Sequence, residues 1–154
     1  MDVNGRRERV KLQIYNTTDG MEHFHQDIEL LYVLEGSLDV IAGEETVHLK
    51  EEDIFVINAN KHHILKGSEN VLFLQLSILY QVVSDVLQSS DVIFWCNSTN
   101  DKSERYEELR KILKVLLKHY IETKGDTANF GHIALCYRVL DSLSMYLLVR
   151  TSDK

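Results

Sequence analysis

The sequence predicts a mainly β protein with a helical part: an antiparallel barrel or sandwich of short strands, followed by a pair of helices. Up to residue 98, short apolar runs are separated by turn residues roughly every eight to twelve positions, as in antiparallel β-structures. From residue 99, apolar residues recur instead every three or four positions, the period of an amphipathic helix. We therefore predict a barrel over residues 1–98 and a helical segment over residues 99–154, packed together as one structural unit.

Six apolar runs indicate the strands of the barrel, and they cover residues 29–35, 38–41, 46–49, 53–57, 63–65 and 71–76. Gly43 lies between the second and third runs and predicts a hairpin, because glycine readily adopts a positive φ. The turn residues 67–70 predict another hairpin between the last two runs. A short helix is predicted over residues 78–88, whereas the apolar residues 92–96 fit either a strand or a buried loop.

The first helix of the pair is predicted to begin in a capping box, with Asp101 as the N-cap and Glu104 three residues later. Gly125 is the predicted C-cap, since glycine accepts the left-handed conformation found there. One apolar stripe runs along this helix and comprises Tyr106, Leu109, Ile112, Leu113, Leu116, Leu117, Tyr120 and Ile121.

The second helix, predicted over residues 127–149, has more apolar circumference than one barrel face can cover. Its main stripe comprises Phe130, Ile133, Ala134, Tyr137, Leu140, Leu143, Leu147 and Leu148, and Leu135, Val139, Met145 and Tyr146 lie away from it. This excess predicts a homodimer through the C-terminal helices, with residues 104–121 as the favoured interface. The alternative is a monomer whose second helix is wedged between the barrel and the first helix.

Composition argues against two classes of function. The net charge is −7 and the pI about 5.4, which disfavours nucleic-acid binding by this chain, and the basic residues 6–11 are typical of a solvated arm. No apolar stretch approaches the ~18 residues of a membrane helix. Cys96 and Cys136 are in no metal-type spacing and are predicted to be thiols in a reducing cytoplasm, with Cys136 in the core.

The most informative residues for function are His23, His25 and Glu29. In an extended segment all three side chains point to the same face, because successive side chains alternate. His63, from a later strand, would add a fourth group, since it leads directly into an apolar run, and its neighbour His62 would then point outward. The four residues are candidate ligand-binding groups on one wall of the barrel.

This histidine and glutamate set admits two chemistries. Imidazole and carboxylate groups bind zinc, nickel, iron or manganese in mixed N/O coordination. Without a metal, the same groups form a polar patch suited to sugar hydroxyls or a carboxylate. No nucleophile motif, phosphate-binding loop or Cys-x-x-Cys accompanies them, so no catalytic residue is assigned.

Two further side chains are placed by strand parity, and two other histidines are assigned no role. His48 lies between two apolar residues and is predicted to face solvent. Tyr32 has the opposite parity to Glu29, so it should pack outside the barrel, under a helix. His119 and His132 lie on the predicted helices without cluster partners, and no role is assigned to them.

The segment from Gly20 to Gly36 resembles the first motif of the cupin superfamily: a glycine, His-x-His, three residues, Glu, six residues and Gly. Residues 52–63 resemble the second cupin motif and retain its histidine as His63. Glu52 stands where this motif usually has glycine, and Ala59 stands where it usually has proline. The resemblance implies an antiparallel, jelly-roll-like cupin barrel.

More narrowly, the wording "HFHQDIELLYVLEGSLDVIAG" followed by "EEDIFVINANKHH" is similar to the sensor domain of AraC-type transcriptional regulators. The helical pair also fits, since those regulators carry a dimerising helical segment after the barrel. The resemblance implies that a small-molecule effector, for which a sugar is the familiar example, binds in the barrel. It also implies a DNA-binding domain with two helix-turn-helix motifs beyond Lys154, through which alone DNA would be bound.

We therefore expect a non-enzymatic, cytoplasmic effector-sensing and dimerisation domain that requires no cofactor. Binding in the barrel would control the C-terminal helix-turn-helix domain. The alternative is a stand-alone metal-dependent cupin enzyme, an isomerase or a dioxygenase.

Overall fold

The computed structural model describes residues 9–19, 21–23, 27–89, 92–101 and 103–150, with Glu22, His23 and Arg150 described by their backbone only. Ten strands and three helices lie in these residues. The strands are β1 (Val10–Tyr15), β2 (Glu22–His23), β3 (Ile28–Glu35), β4 (Leu38–Ala42), β5 (Glu45–Leu49), β6 (Ile54–Ile57), β7 (His63–Gly67), β8 (Leu72–Ile78), β9 (Val92–Phe94) and β10 (Leu148–Arg150). The helices are α1 (Tyr80–Leu87), α2 (Glu104–Glu122) and α3 (Phe130–Tyr146).

Two four-stranded antiparallel sheets form the barrel. Sheet 1 has the order β1-β8-β3-β6 and sheet 2 the order β2-β7-β4-β5. A separate ribbon pairs β9 with β10. This arrangement, with the helices after the barrel, confirms the predicted mainly β fold.

The alternation of side chains along β3 separates two hydrophobic cores. Leu31 and Val33 belong to the core between the two sheets, together with residues of β4, β5 and β7. Leu30 and Tyr32 point the other way and pack in a second core that contains the buried faces of α2 and α3. Sheet 1 is therefore covered on both sides, and the prediction that Tyr32 packs outside the barrel among helical residues is confirmed.

The connections between strands confirm one predicted hairpin and correct the other. β4 and β5 form a hairpin in which Gly43 has a φ of +62°. Residues 68–71 do not form the second hairpin, because β7 lies in sheet 2 and β8 in sheet 1. They carry the chain from one sheet to the other, and such a crossover uses the same turn residues as a hairpin. β1, which includes Lys11 of the predicted solvated arm, was missed as a strand.

The start of α2 differs from the predicted capping box. Its N-cap is Ser103 rather than Asp101, and the Ser103 side chain makes no capping hydrogen bond. The Asp101 carboxylate instead accepts a hydrogen bond of 2.8 Å from the Ser103 amide. Such a local bond by an aspartate competes with helical structure, which explains why the helix begins two residues later. At the other end the C-cap is Thr123, and the Gly125 amide, at a φ of +80°, closes the turn by a 2.8 Å bond to the Tyr120 carbonyl.

The buried face of α3 overlaps only the C-terminal part of the predicted stripe, where Leu140, Leu143 and Leu147 are buried. Phe130, at the start of the stripe, is 91% exposed, whereas His132, Cys136 and Val139 are buried. The buried face is rotated by roughly 90° from the predicted stripe, given 100° per residue. The predicted stripe was chosen from apolar residues, and it therefore left out the buried His132. Ile121, at the end of the stripe predicted for α2, is also exposed.

The helix α3 also ends earlier than predicted. It stops at Tyr146, and the next residues form β10, which pairs with β9. This pairing decides that the run at 92–96 contains a strand. Both cysteines are buried thiols, and burial raises the pKa of Cys96 to about 12. Among the described residues, no helix has the length and apolar character needed to span a membrane.

Candidate functional site

A buried imidazole and a buried carboxylate meet between the two sheets. Glu29 lies on β3 with the same parity as Leu31, so its side chain faces the barrel interior. His63 begins β7 on the facing sheet, and both side chains are almost fully inaccessible. The His63 Nε2 and Glu29 Oε2 atoms are 3.5 Å apart. The predicted inward orientation of His63 and Glu29 is thus confirmed.

The environment of His63 favours its charged form. The other ring nitrogen, Nδ1, lies 3.1 Å from the Lys61 carbonyl oxygen, which can only accept a hydrogen bond. Burial by itself lowers the pKa of His63, but the Glu29 carboxylate and the Lys61 carbonyl outweigh it, and the pKa is raised above its ordinary value. The pair therefore tends towards an imidazolium beside a carboxylate.

The two other predicted site residues are only partly placed. The backbone of His23 is in β2, directly opposite His63 in the register of β2 with β7. His25 lies outside the described residues. Within the described part of the chain, no group of three or more histidine, cysteine, aspartate or glutamate residues could hold a metal. Glu29 and His63 supply two ligands of suitable type, and the four-ligand metal site stays a prediction.

Sequence reasoning missed three polar residues on the inner face of sheet 1. Ser77 is directly opposite Glu29 in the register of β8 with β3, and Gln75 is opposite Leu31. Residues paired in this way share a face of the sheet, so both belong to the wall that carries Glu29. The Gln75 amide nitrogen donates a 3.3 Å hydrogen bond to the Ser77 hydroxyl. Their alternation within the apolar run of β8 was the signal that could have found them.

Tyr15 is the third missed residue. Its ring packs against Phe73 with centroids 5.5 Å apart. Burial and the negative charge of Glu29 both raise its pKa. Its phenol stays protonated, and the influence of Glu29 indicates that it belongs to the same wall. The inner face of sheet 1 is thus polar at the Glu29 and Ser77 end and apolar at the Phe73 end.

The remaining histidines lie away from this wall. His48 is exposed and 2.7 Å from an oxygen of Asp39, as expected for an outward-facing residue. His62 is exposed. His119 contacts the Asn129 side chain at 2.9 Å, and His132 is buried with its Nε2 3.5 Å from the Cys136 sulfur.

Glu52 joins the barrel to α2. Its backbone has a φ of +74°, a left-handed conformation that explains why glycine is usual at this position of the motif. Its carboxylate accepts a 2.7 Å hydrogen bond from the Tyr32 hydroxyl and lies 3.2 Å from the Lys114 ammonium group. Its carbonyl accepts a 2.7 Å hydrogen bond from Arg110. One turn residue therefore contacts β3 and α2 together.

The comparison with protein families concerns the barrel. Residues 13–77 match the family of the cupin domain. The match spans most of the region from β1 to β8, so the barrel is similar to a cupin domain. No curated protein matches the chain. The matched segment contains Glu29, His63, Gln75 and Ser77, so the buried polar residues lie within the region of similarity.

Solved structures with similar folds come from several bacteria. A conserved Streptococcus pyogenes protein of unknown function is 17% identical over 48% of this chain and 68% of its own, with a TM-score of 0.43. A cupin superfamily protein of Desulfitobacterium hafniense is 20% identical over 48% of this chain and 71% of its own, with a TM-score of 0.42. The Clostridium difficile EutQ protein is 17% identical over 46% of this chain and 57% of its own, with a TM-score of 0.39. These similarities concern the fold alone.

Proposed function

We propose that this chain is the effector-sensing and dimerisation part of an AraC-type transcriptional regulator. A small molecule would bind between the two sheets beside Glu29 and His63 and would control a DNA-binding domain C-terminal to residue 154. The observation that best supports the proposal is the two-sided character of β3. This strand carries Glu29 on its inner face and Tyr32, which contacts the helical segment through Glu52, on its outer face.

A first route couples the barrel interior to α2. A ligand that displaces β3 by contacting Glu29 would also displace Tyr32, three residues further along the same strand. The Tyr32 hydroxyl is bonded to Glu52, which contacts both Arg110 and Lys114 of α2. In this route Glu52 contacts Tyr32 of β3 on one side and Arg110 and Lys114 of α2 on the other.

A second route leads from β6 to the C-terminal strand. The Asn58 side chain bonds both the amide and the carbonyl of Phe94, at 2.8 and 3.0 Å, as a neighbouring strand would. The amide of Val56 bonds the Cys96 carbonyl, and the Trp95 amide bonds the Leu147 carbonyl. Residues 92–98 thus connect the edge of sheet 1 to β10. A domain that follows β10 would be attached at the end of this route.

Coupling of this kind requires a difference in affinity. An effector shifts the balance between two arrangements of the helices only if it binds one of them more tightly. The buried polar wall can supply that difference, because a small displacement of β3 changes the hydrogen bonds available to the ligand. Sugars satisfy this requirement through their hydroxyl groups.

Dimerisation is proposed through the exposed apolar residues of the helices. Phe130, Ile133 and Met145 of α3 are 91%, 45% and 63% exposed, and Val115 and Ile121 of α2 are 53% and 63% exposed. Exposed apolar side chains that form a patch would mark a site of contact between proteins. A second copy of the chain would cover them.

The metal content separates this proposal from a metal-dependent cupin enzyme. Glu29 and His63 provide oxygen and nitrogen ligands that suit zinc, nickel, iron or manganese. Elemental analysis of protein purified without a metal-affinity tag is the test. Stoichiometric iron or manganese would support an isomerase or dioxygenase, whereas no metal, or substoichiometric zinc or nickel, would support the sensor.

The sensor proposal is tested by thermal unfolding in the presence of a library of small metabolites. A cognate effector raises the melting temperature, because it binds the folded state alone. The substitution His25→Ala should reduce that rise, while the exposed His62→Ala serves as the matched control. A library without any stabilising compound, or a reading frame beyond Lys154 that encodes no helix-turn-helix motif, would contradict the proposal.

A further inference from the structure

Gln75 is a buried polar residue in the apolar core between the sheets. It is 5% exposed and lies on β8, where its register partner Leu31 belongs to the core between the sheets. A glutamine in such a position requires hydrogen-bond partners for both ends of its amide, because burial removes water as a partner.

The residues that the structure describes satisfy one end of this amide. The amide nitrogen donates to the Ser77 hydroxyl at 3.3 Å. The amide oxygen, Oε1, is fully buried and accepts no hydrogen bond from the residues that the structure describes. An unsatisfied buried acceptor of this type destabilises a folded protein, because the desolvation of the oxygen is not compensated. An unsatisfied buried group in a native protein calls for a specific explanation, and a bound ligand that supplies the missing donor is one.

The neighbours of Gln75 identify the kind of ligand. Ser77 is opposite Glu29 in the register, so the amide lies on the wall that carries Glu29, and His63 approaches Glu29 from the facing sheet. The charge of Glu29 is matched by the imidazole of His63, and an ammonium ligand would therefore be buried without an available anion. A carboxylate ligand would approach two acceptor groups, the Glu29 carboxylate and the Gln75 Oε1 atom. A neutral hydroxyl group carries no charge to be buried, and it can donate a hydrogen bond to the Gln75 Oε1 atom.

We infer that Gln75 is a specificity-determining residue of the barrel site, and that its Oε1 atom accepts a hydrogen bond from a hydroxyl group of a neutral ligand. Ser77 holds the amide in the orientation that presents this oxygen. The inference rests on the proposed effector site and adds the class of ligand and the group that recognises it.

The first test uses the protein without ligand. Gln75→Met keeps the length of the side chain and removes the unsatisfied acceptor. We expect its melting temperature to rise by about 2–4 °C. The substitution removes a buried amide oxygen that, without ligand, accepts no hydrogen bond from the residues that the structure describes. Gln81→Met is the matched control, because Gln81 is an exposed glutamine of α1 and does not belong to either sheet of the barrel. A lower melting temperature for Gln75→Met would overturn the inference and assign Gln75 a structural role.

The second test measures binding by calorimetry with defined probes: xylitol and myo-inositol as neutral polyols, ethanolamine as an ammonium compound and acetate as an anion. The inference expects a polyol to bind the wild type and to bind Gln75→Met at least tenfold more weakly, with unchanged affinity for Gln81→Met. Binding of ethanolamine or acetate alone, equal polyol affinities in wild type and Gln75→Met, or no polyol binding would overturn it. Failure here leaves the regulator proposal standing if another metabolite stabilises the wild type.

Discussion

The Tyr32 hydroxyl donates a 2.7 Å hydrogen bond to the carboxylate of Glu52, a residue with a φ of +74°. A non-glycine residue in this left-handed conformation costs roughly 1 kcal/mol or more. The side chain that incurs this cost also makes the contacts with β3 and with Lys114 of α2. The departure from the glycine usual in the motif therefore exchanges backbone strain for a connection between the barrel and the helices.

Two substitutions separate the strain from the connection. Glu52→Ala keeps the left-handed backbone and loses the side-chain contacts, so we expect a loss of about 1–2 kcal/mol in the free energy of unfolding. Glu52→Gly loses the same contacts but relieves the strain, and it should be about 1 kcal/mol more stable than Glu52→Ala. Urea denaturation measures both. Equal stability of the two variants would show that the backbone conformation is not strained.

The stability of the protein should depend on the ionisation of His63. Because its pKa is raised in the folded protein, its contribution is fully present below the pKa of the unfolded state, about 6.5, and is lost as the pH rises through the higher folded value. Urea denaturation at a series of pH values should show this decline in the wild type. His63→Gln should remove it, and the exposed His62→Gln should retain it. A decline that persists in His63→Gln would assign it to another group.

Asn58 should control the attachment of the β9–β10 ribbon. Asn58→Ala removes two hydrogen bonds to the Phe94 backbone and leaves buried groups unsatisfied, so we expect a loss of about 2–3 kcal/mol in the free energy of unfolding. Hydrogen exchange should become faster in residues 92–98 and 148–150. Asn100→Ala, at an exposed turn, is the control. Unchanged exchange in the ribbon would argue against the second coupling route.

The proposed dimer should depend on the exposed face of α3. Ile133→Lys places a charge at a 45% exposed position, so it should leave the fold intact and shift the protein from dimer to monomer. Light scattering coupled to size-exclusion chromatography measures the mass. Val86→Lys, at a 72% exposed position of α1, is the matched control and should not change the mass. A wild-type protein that is monomeric at all concentrations tested would contradict the dimer.

The parity of strands made most of the barrel predictable. Glu29 and Tyr32 belong to one apolar run, and alternation alone assigned the first to the interior and the second to the helical side. The same reasoning placed His63 inward and His48 outward. These orientations depend only on the alternation of side chains along a strand, so they can be predicted from residue positions alone.

Features that depend on distant contacts were not predictable in this way. The predicted face of α3 was wrong in its N-terminal half, because burial there is decided by contacts such as that of His132 with the Tyr120 ring, whose centroid is 6.3 Å from that of the imidazole. The crossover after β7 looked like a hairpin because sheet membership is a matter of long-range pairing. Gln75 escaped notice because a single glutamine in an apolar strand carries no motif.

The burial of sheet 1 on both faces limits how this protein can be dissected. A fragment that ends at residue 98 would keep every strand of the barrel but would uncover Leu30, Tyr32, Leu74 and Leu76, which are fully buried in the whole chain. Such a surface favours aggregation over a stable monomer. Any effort to graft the binding barrel onto another protein must therefore transfer the helices as well.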